Sequence, residues 1–132
     1  MKVLDLFSGI GGFSLGLEGA GMETVAFCEK DSFCRKVLAQ HWPNVPIHED
    51  IRDLDGRLYR GTVDVVCGGF PCQPFSVAGL RQGKDDDRHL WPEMLRVIRE
   101  CQPRWVIGEN VSGLIRMALD DVCADLEREG YE

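Results

Sequence analysis

Residues 3–12 read VLDLFSGIGG, an apolar run that ends in a cluster of glycines. The segment from Val3 to Phe7 is apolar apart from one aspartate, which predicts a short buried strand. The glycines that follow allow a tight turn and let the backbone approach a bound ligand. An apolar helical stretch comes next and stops at Gly19 and Gly21. This strand–glycine–helix unit favours an α/β fold with a ligand site at the turn.

The rest of the chain alternates strand and helix patterns in the same way. Further strands are predicted at 24–28, 45–48, 63–67 and 105–108, and further helices at about 32–40, 92–101 and 119–126. Such alternation is typical of a parallel sheet with helices on both faces. The predicted fold class is therefore α/β, with a parallel sheet of about five strands flanked by helices.

Length and composition indicate one ordinary globular domain. The chain has 132 residues, of which 44% are hydrophobic and 28% are charged. No apolar run approaches the ~20 residues of a membrane helix, and Asp5 interrupts the first apolar segment, so a cytoplasmic protein (nuclear in a eukaryote) is expected. The net charge of −7 has the wrong sign for a protein that binds nucleic acid unaided.

The six cysteines form no CxxC pair, and no histidine pair has metal-ligand spacing, so no metal site is predicted. Five of them are expected to be small buried residues: Cys28, Cys34, Cys67, Cys101 and Cys123.

Cys72 has a different setting, because Pro71 and Pro74 bracket it in the segment 68–76, GGFPCQPFS. Proline fixes φ and holds the chain on one path. The Cys72 thiol is therefore presented in a set direction at a strand end, as a nucleophile requires. A structural cysteine is the alternative, but such a loop offers little core for it to join.

Acidic residues follow two other strands, at the sheet edge where ligands bind in open α/β folds. Glu29 lies 20 positions after Gly9, a spacing that suits an acid hydrogen-bonded to both ribose hydroxyls of a nucleoside. The alternative is an exposed loop acid. Asp50 is either an acceptor for an adenine amino group or a turn residue before Ile51. Ser14 replaces the last glycine of a dinucleotide motif, which favours a nucleoside ligand without a pyrophosphate.

Glu109 and Asn110 follow the last apolar strand. A carboxyl group at that edge is expected to be partly desolvated, which favours the form that holds a proton. For Asn110 the alternative is a helix cap.

At these residues the chain resembles the S-adenosylmethionine-dependent DNA cytosine-5 methyltransferases over nearly its whole length. The matching segments are 5–13, 29, 50–51, 69–76, 87–90 and 109–111, in the family's order and with family-like spacing. The resemblance implies a Rossmann-like methyltransferase fold, S-adenosylmethionine as cofactor, DNA as substrate and a place in restriction-modification.

The resemblance also implies a role for each matched residue. Cys72 would add to carbon 6 of a cytosine flipped out of the duplex, and Glu109 would hold or donate a proton at ring nitrogen 3. The implied cofactor pocket consists of Phe7, Ile10, Gly11, Gly12, Glu29, Asp50, Ile51, Pro71 and Leu90. The implied DNA contacts are Ser76, Arg88 and Asn110.

Several parts of the family pattern have no counterpart here, namely a glutamine-arginine-arginine segment, a target-recognition region and a final helix. Residues 1–132 are therefore expected to form a single, truncated catalytic and cofactor-binding domain whose sheet is incomplete on its C-terminal side. A complementing chain would supply the basic DNA surface, and the exposed strand at 104–108 could also self-associate. The alternatives are a catalytically incomplete module that binds the cofactor or a protein, and a different nucleoside-cofactor enzyme.

Overall fold

The computed structural model describes residues 1–71, 90–110, 112 and 118–132. Five parallel strands form one sheet in the order β3-β2-β1-β4-β5. The strands are β1 (Lys2–Leu6), β2 (Glu23–Cys28), β3 (Ile47–His48), β4 (Val65–Gly68) and β5 (Trp105–Gly108). The predicted α/β class and strand number are confirmed. The strand order reverses between β1 and β4, which is where open α/β sheets form a ligand crevice.

The described part of the chain also contains four α-helices and one 3₁₀ helix, of which all but the last connect strands: α1 (Gly12–Gly19), α2 (Ser32–His41), the 3₁₀ helix (Gly56–Tyr59), α3 (Trp91–Cys101) and α4 (Leu119–Arg128). No helix there is long and apolar enough to cross a membrane. The fourth strand begins two residues later than predicted. Val63 donates its N–H to the Tyr59 carbonyl at 3.0 Å, so it closes a turn although its side chain is buried.

The two faces of the sheet bury different clusters because alternate strand residues point to opposite sides. On one face Leu4, Leu6 and Val66 pack with Met94 and Ile98 of α3. On the other face Val3, Val65 and Cys67 pack against residues of α1. The central strands are therefore covered on both sides, which fixes the positions of their carboxyl ends.

The expectation that five cysteines are buried holds for three of them. Cys28, Cys67 and Cys101 are buried, Cys34 is half-buried and Cys123 is exposed. The prediction for Cys123 is wrong because α4 rests on the core through Val122, and the next residue is rotated by about 100° around the helix.

Gly68 gives a test of the packing between β1 and β4. A Cβ atom at Gly68 would lie 2.6 Å from the Leu6 carbonyl oxygen, a backbone atom that cannot move aside. We expect Gly68→Ala to lower the free energy of unfolding by about 1–3 kcal/mol, as measured by urea denaturation. The control is Gly16→Ala, an open position on α1, which should raise stability by about 0.5–1 kcal/mol. A Gly68→Ala protein as stable as the wild type would contradict this packing.

Candidate functional site

The turn after β1 has an unusual backbone. Phe7, Gly9 and Gly11 have φ values of 53°, 55° and 92°, all in the left-handed region. Phe7 is notable because non-glycine residues rarely adopt such a conformation, and strained positions of this kind cluster at functional sites. Ile10 on the same turn is 60% exposed. The predicted pocket residues Phe7, Ile10, Gly11 and Gly12 therefore share one turn with an exposed apolar side chain.

Glu29 joins this turn to the end of β2. One carboxylate oxygen accepts the Gly9 N–H at 2.7 Å, and the other accepts the Asp31 N–H at 2.7 Å. The side chain is thus half-buried and bonded, unlike the free loop acid of the alternative interpretation. A carboxylate offers about four lone-pair sites, so acceptor capacity remains for further hydroxyl donors.

A buried carboxyl group lies on the strand that leads into the turn. Asp5 of β1 is fully buried, and its Oδ2 accepts a hydrogen bond from the Ser14 hydroxyl of α1 at 2.7 Å. Burial raises the pKa of Asp5 to about 6, although the hydrogen bond from Ser14 acts in the opposite direction. This bond ties the strand before the turn to the helix after it. The glycine motif alone did not indicate a role for Ser14.

Trp42, at the end of α2, packs directly under the turn. A Cβ atom at Gly11 would come within 2.6 Å of the indole ring, so only glycine fits. The indole N–H donates to both carboxylate oxygens of Glu18 at 3.0 and 2.9 Å, and the ring meets Phe27 edge-on at 5.2 Å. Trp42 therefore packs between the glycine turn and β2 and fixes their relative position. The sequence predicted only that the second helix ends near residue 40, and it indicated no role for Trp42.

The loop after β3 contains Asp50 and Ile51. Asp50 accepts the backbone N–H of Arg52 at 3.0 Å and its guanidinium at 2.7 Å. These hydrogen bonds from Arg52 lower the pKa of Asp50 to about 2. The turn interpretation of Asp50 thus describes its local structure, while its contact with adenine stays a prediction. The Ile51 side chain is buried, with 3% exposure.

The ends of β4 and β5 form a second group of contacts. The Glu109 N–H donates to the Gly68 carbonyl at 3.1 Å, and the Asn110 side-chain amide donates to the Phe70 carbonyl at 2.7 Å. The Leu90 N–H donates to the Pro71 carbonyl at 3.4 Å. The residue before Cys72 is thereby joined to the residue before α3. The Asn110 side chain thus holds the segment that precedes the cysteine, while the helix cap weighed for it concerns residues after 110 that lie largely outside the described part of the chain.

The Glu109 side chain is exposed in the described part of the chain, so the predicted desolvation is not found there. Its carboxylate lies close to Gly69, since a Cβ atom added at Gly69 would come within 2.9 Å of one Glu109 carboxylate oxygen. Three predicted site residues, Cys72, Ser76 and Arg88, lie outside the described residues. Within the described ranges, no group of three histidine, cysteine or acidic side chains could hold a metal ion.

Comparison with known proteins shows which family the chain matches. A family model described as C-5 cytosine-specific DNA methylase matches residues 1–132. The chain is 41% identical over 135 residues to type II methyltransferase M.HgiCII of Herpetosiphon aurantiacus, covering 98% of this chain and 31% of that protein. It is 45% identical over 115 residues to M.Eco47II of Escherichia coli, covering 86% of this chain and 28% of that one. The chain thus spans about a third of the length of these relatives.

A solved structure shares the fold. A prophage-encoded E. coli protein, described as a "putative DNA modification methyltransferase", superimposes with a TM-score of 0.78 at 27% identity, over 98% of this chain and 37% of that one. The predicted methyltransferase fold is confirmed.

The buried Asp5 carboxyl predicts a pH dependence of stability. Its pKa is about 6 in the folded chain and about 3.9 when unfolded. The folded state therefore binds the extra proton between these values, and this contribution is complete below pH 3.9 and is lost as pH rises through 6. Relative to wild type, Asp5→Asn should gain about 2–3 kcal/mol of unfolding free energy between pH 4 and pH 7. Urea denaturation across this range measures the difference.

Asp31→Asn is the matched control. The Cys34 N–H lowers the pKa of this exposed α2 cap. Its stabilising contribution is present above the unfolded pKa of about 3.9 and is lost only below it, so the difference between Asp31→Asn and wild type should stay nearly constant from pH 4 to 7. An Asp5→Asn difference that is flat from pH 4 to 7 would contradict the assignment.

Proposed function

Because the chain belongs to the C-5 cytosine-specific DNA methylase family, we propose that it forms the catalytic and cofactor-binding portion of a DNA cytosine-5 methyltransferase. Relatives with type II methyltransferase names imply a place in a restriction-modification system. The observation that carries the proposal is that the glycine turn, Glu29, Pro71 and Glu109 follow the carboxyl ends of β1, β2, β4 and β5, respectively.

The cofactor of this family is S-adenosylmethionine, which supplies the methyl group that ends on carbon 5 of cytosine. The residues at the β1 and β2 ends suit such a nucleoside. Glu29 has spare acceptor capacity for ribose hydroxyls, and the exposed Ile10 offers an apolar contact. Asp50 and Ile51 would contact adenine, while Gly11, Gly12, Phe7, Pro71 and Leu90 complete the pocket.

Cys72 would be the nucleophile. In the sequence it directly follows Pro71, whose carbonyl accepts the Leu90 N–H at 3.4 Å. Its thiolate would add to carbon 6 of a flipped-out cytosine. Glu109 would hold a proton at ring nitrogen 3 and so reduce the negative charge that the addition creates. Loss of the carbon-5 proton to a base, with departure of Cys72, would restore the ring.

DNA binding needs more positive charge than the net −7 of this chain provides. Asn110, Ser76 and Arg88 are the proposed contacts from this chain, and a complementing chain would carry the basic surface. The β5 edge, where Trp105 is 58% exposed, is the proposed docking side, with self-association as the competing use. We place the protein in the cytoplasm, or in the nucleus of a eukaryote.

A second candidate is a catalytically incomplete module that binds S-adenosylmethionine. The net charge of −7 favours it, because binding to phosphates needs a basic surface. It differs from the first candidate in forming no covalent bond to DNA.

Covalent trapping separates the two candidates. A duplex containing 5-fluorocytosine, incubated with S-adenosylmethionine and the chain, should give a stable adduct on a denaturing gel, because fluorine blocks the loss of the carbon-5 substituent. The C-terminal portion of M.HgiCII is supplied in trans to complete the DNA surface. Cys72→Ser should abolish the adduct.

The control is Cys123→Ser, which removes an exposed thiol on α4 and should leave the adduct yield unchanged. An adduct that persists in Cys72→Ser would contradict the assigned nucleophile. Cofactor binding without any adduct, even in the complemented mixture, would favour the binding module.

A further inference from the structure

Arg96 of α3 reaches across to the segment 51–56, which follows the end of β3. Its Nη2 donates to the Ile51 carbonyl at 2.6 Å, and its Nη1 donates to the Leu54 carbonyl at 3.0 Å. On its own helix the guanidinium also donates to Glu93 at 2.8 Å and to Glu100 at 2.9 Å. A single cation therefore links the helix to two backbone carbonyls of the loop.

Glu100 extends this contact to the other end of the segment. The carboxylate oxygen that accepts from Arg96 also accepts the Gly56 N–H at 2.8 Å. The backbone lies close against the helix here, since a Cβ atom at Gly56 would come within 2.9 Å of the Val97 carbonyl oxygen. Segment 51–56 is thus fixed to α3 at both ends.

These bonds satisfy groups that would otherwise lack a strong partner. Ile51 and Leu54 are 3% and 2% exposed, and backbone carbonyls in such surroundings need donors. The Ile51 carbonyl also accepts the Leu54 N–H at 3.2 Å, and the preceding Asp50 carbonyl accepts the Asp53 N–H at 3.1 Å, so two consecutive turns begin at Asp50 and Ile51. Without Arg96, the Ile51 carbonyl would lose the one hydrogen bond that a described side chain of α3 donates to it.

We propose that Arg96 is a positioning residue for the cofactor site, and that it sets the backbone of Asp50 and Ile51 against the nucleoside without touching it. The inference rests on the proposed function, which supplies the nucleoside. α3 begins directly after Leu90, whose N–H holds Pro71. One helix therefore carries contacts to both the adenine side of the pocket and the residue before the nucleophile.

The first test needs no ligand. Amide hydrogen exchange over 51–56 is compared in wild type, Arg96→Gln and the matched control Arg99→Gln. Arg99 lies on the same helix, is 59% exposed and pairs with Glu129 at 2.6 Å, away from the segment. Arg96→Gln should speed exchange on the order of tenfold, from the loss of charge-assisted hydrogen bonds, and Arg99→Gln should not. Unchanged exchange in Arg96→Gln overturns the proposal.

The second test is a double-mutant cycle on S-adenosylmethionine affinity, measured by calorimetry. Arg96→Gln should weaken binding on the order of tenfold. Combined with Asp50→Ala, the loss should be smaller than the product of the two single losses, because both changes disable the same contact. Combined with Glu29→Gln, the losses should multiply. Multiplied losses in the Asp50 pair, or an equal loss in Arg99→Gln, would contradict positioning through this turn.

Arg96→Lys completes the set. It keeps the charge but cannot donate to two carbonyls in the fixed fork of a guanidinium, so it should recover only part of the affinity. If Arg96→Gln fails to fold, Arg96→Lys replaces it in both the exchange measurement and the double-mutant cycle. A wild-type chain that binds no S-adenosylmethionine would contradict the proposed function, and the exchange measurement would still decide whether Arg96 holds the turn.

Discussion

The Glu29 carboxylate bonds to two backbone N–H groups, those of Gly9 and Asp31, each at 2.7 Å. This contact fixes the exits of β1 and β2 relative to each other, and the rest of the cofactor side depends on it. The glycine turn packs against the Trp42 ring at Gly11. At the other end of the turn, the hydrogen bond from Ser14 to Asp5 joins α1 to β1. A ligand between the two strands would therefore meet a backbone that is already in place, which reduces the ordering cost of binding.

At the other strand ends, too, side chains form hydrogen bonds to backbone groups of neighbouring segments. Asn110 holds the Phe70 carbonyl, and Arg96 holds the carbonyls of Ile51 and Leu54. Both contacts lie next to residues proposed to touch cofactor or base. Methyl transfer requires the reacting groups to be held in a precise geometry. Side chains that fix the neighbouring backbone help to provide that geometry.

The sequence predicted the sheet because buried parallel strands such as Val65–Gly68 appear as apolar runs between helical patterns. Its errors have local causes. Val63 is apolar and buried yet belongs to a turn, and apolar character alone cannot separate the two. The roles of Trp42 and Arg96 could not be predicted, because each depends on contacts between segments that are far apart in the chain. The positive φ of Phe7 could not be predicted from its residue type either, because non-glycine residues rarely adopt it.

The central claim is that Glu29 and the glycine turn form a nucleoside site, and calorimetric titration of S-adenosylmethionine tests it most directly. The account predicts binding by the wild-type chain and a loss on the order of tenfold or more in Glu29→Gln. Glu23→Gln, an exposed acid at the opposite end of the same strand, should bind like wild type. Equal affinity in Glu29→Gln and Glu23→Gln would contradict the account.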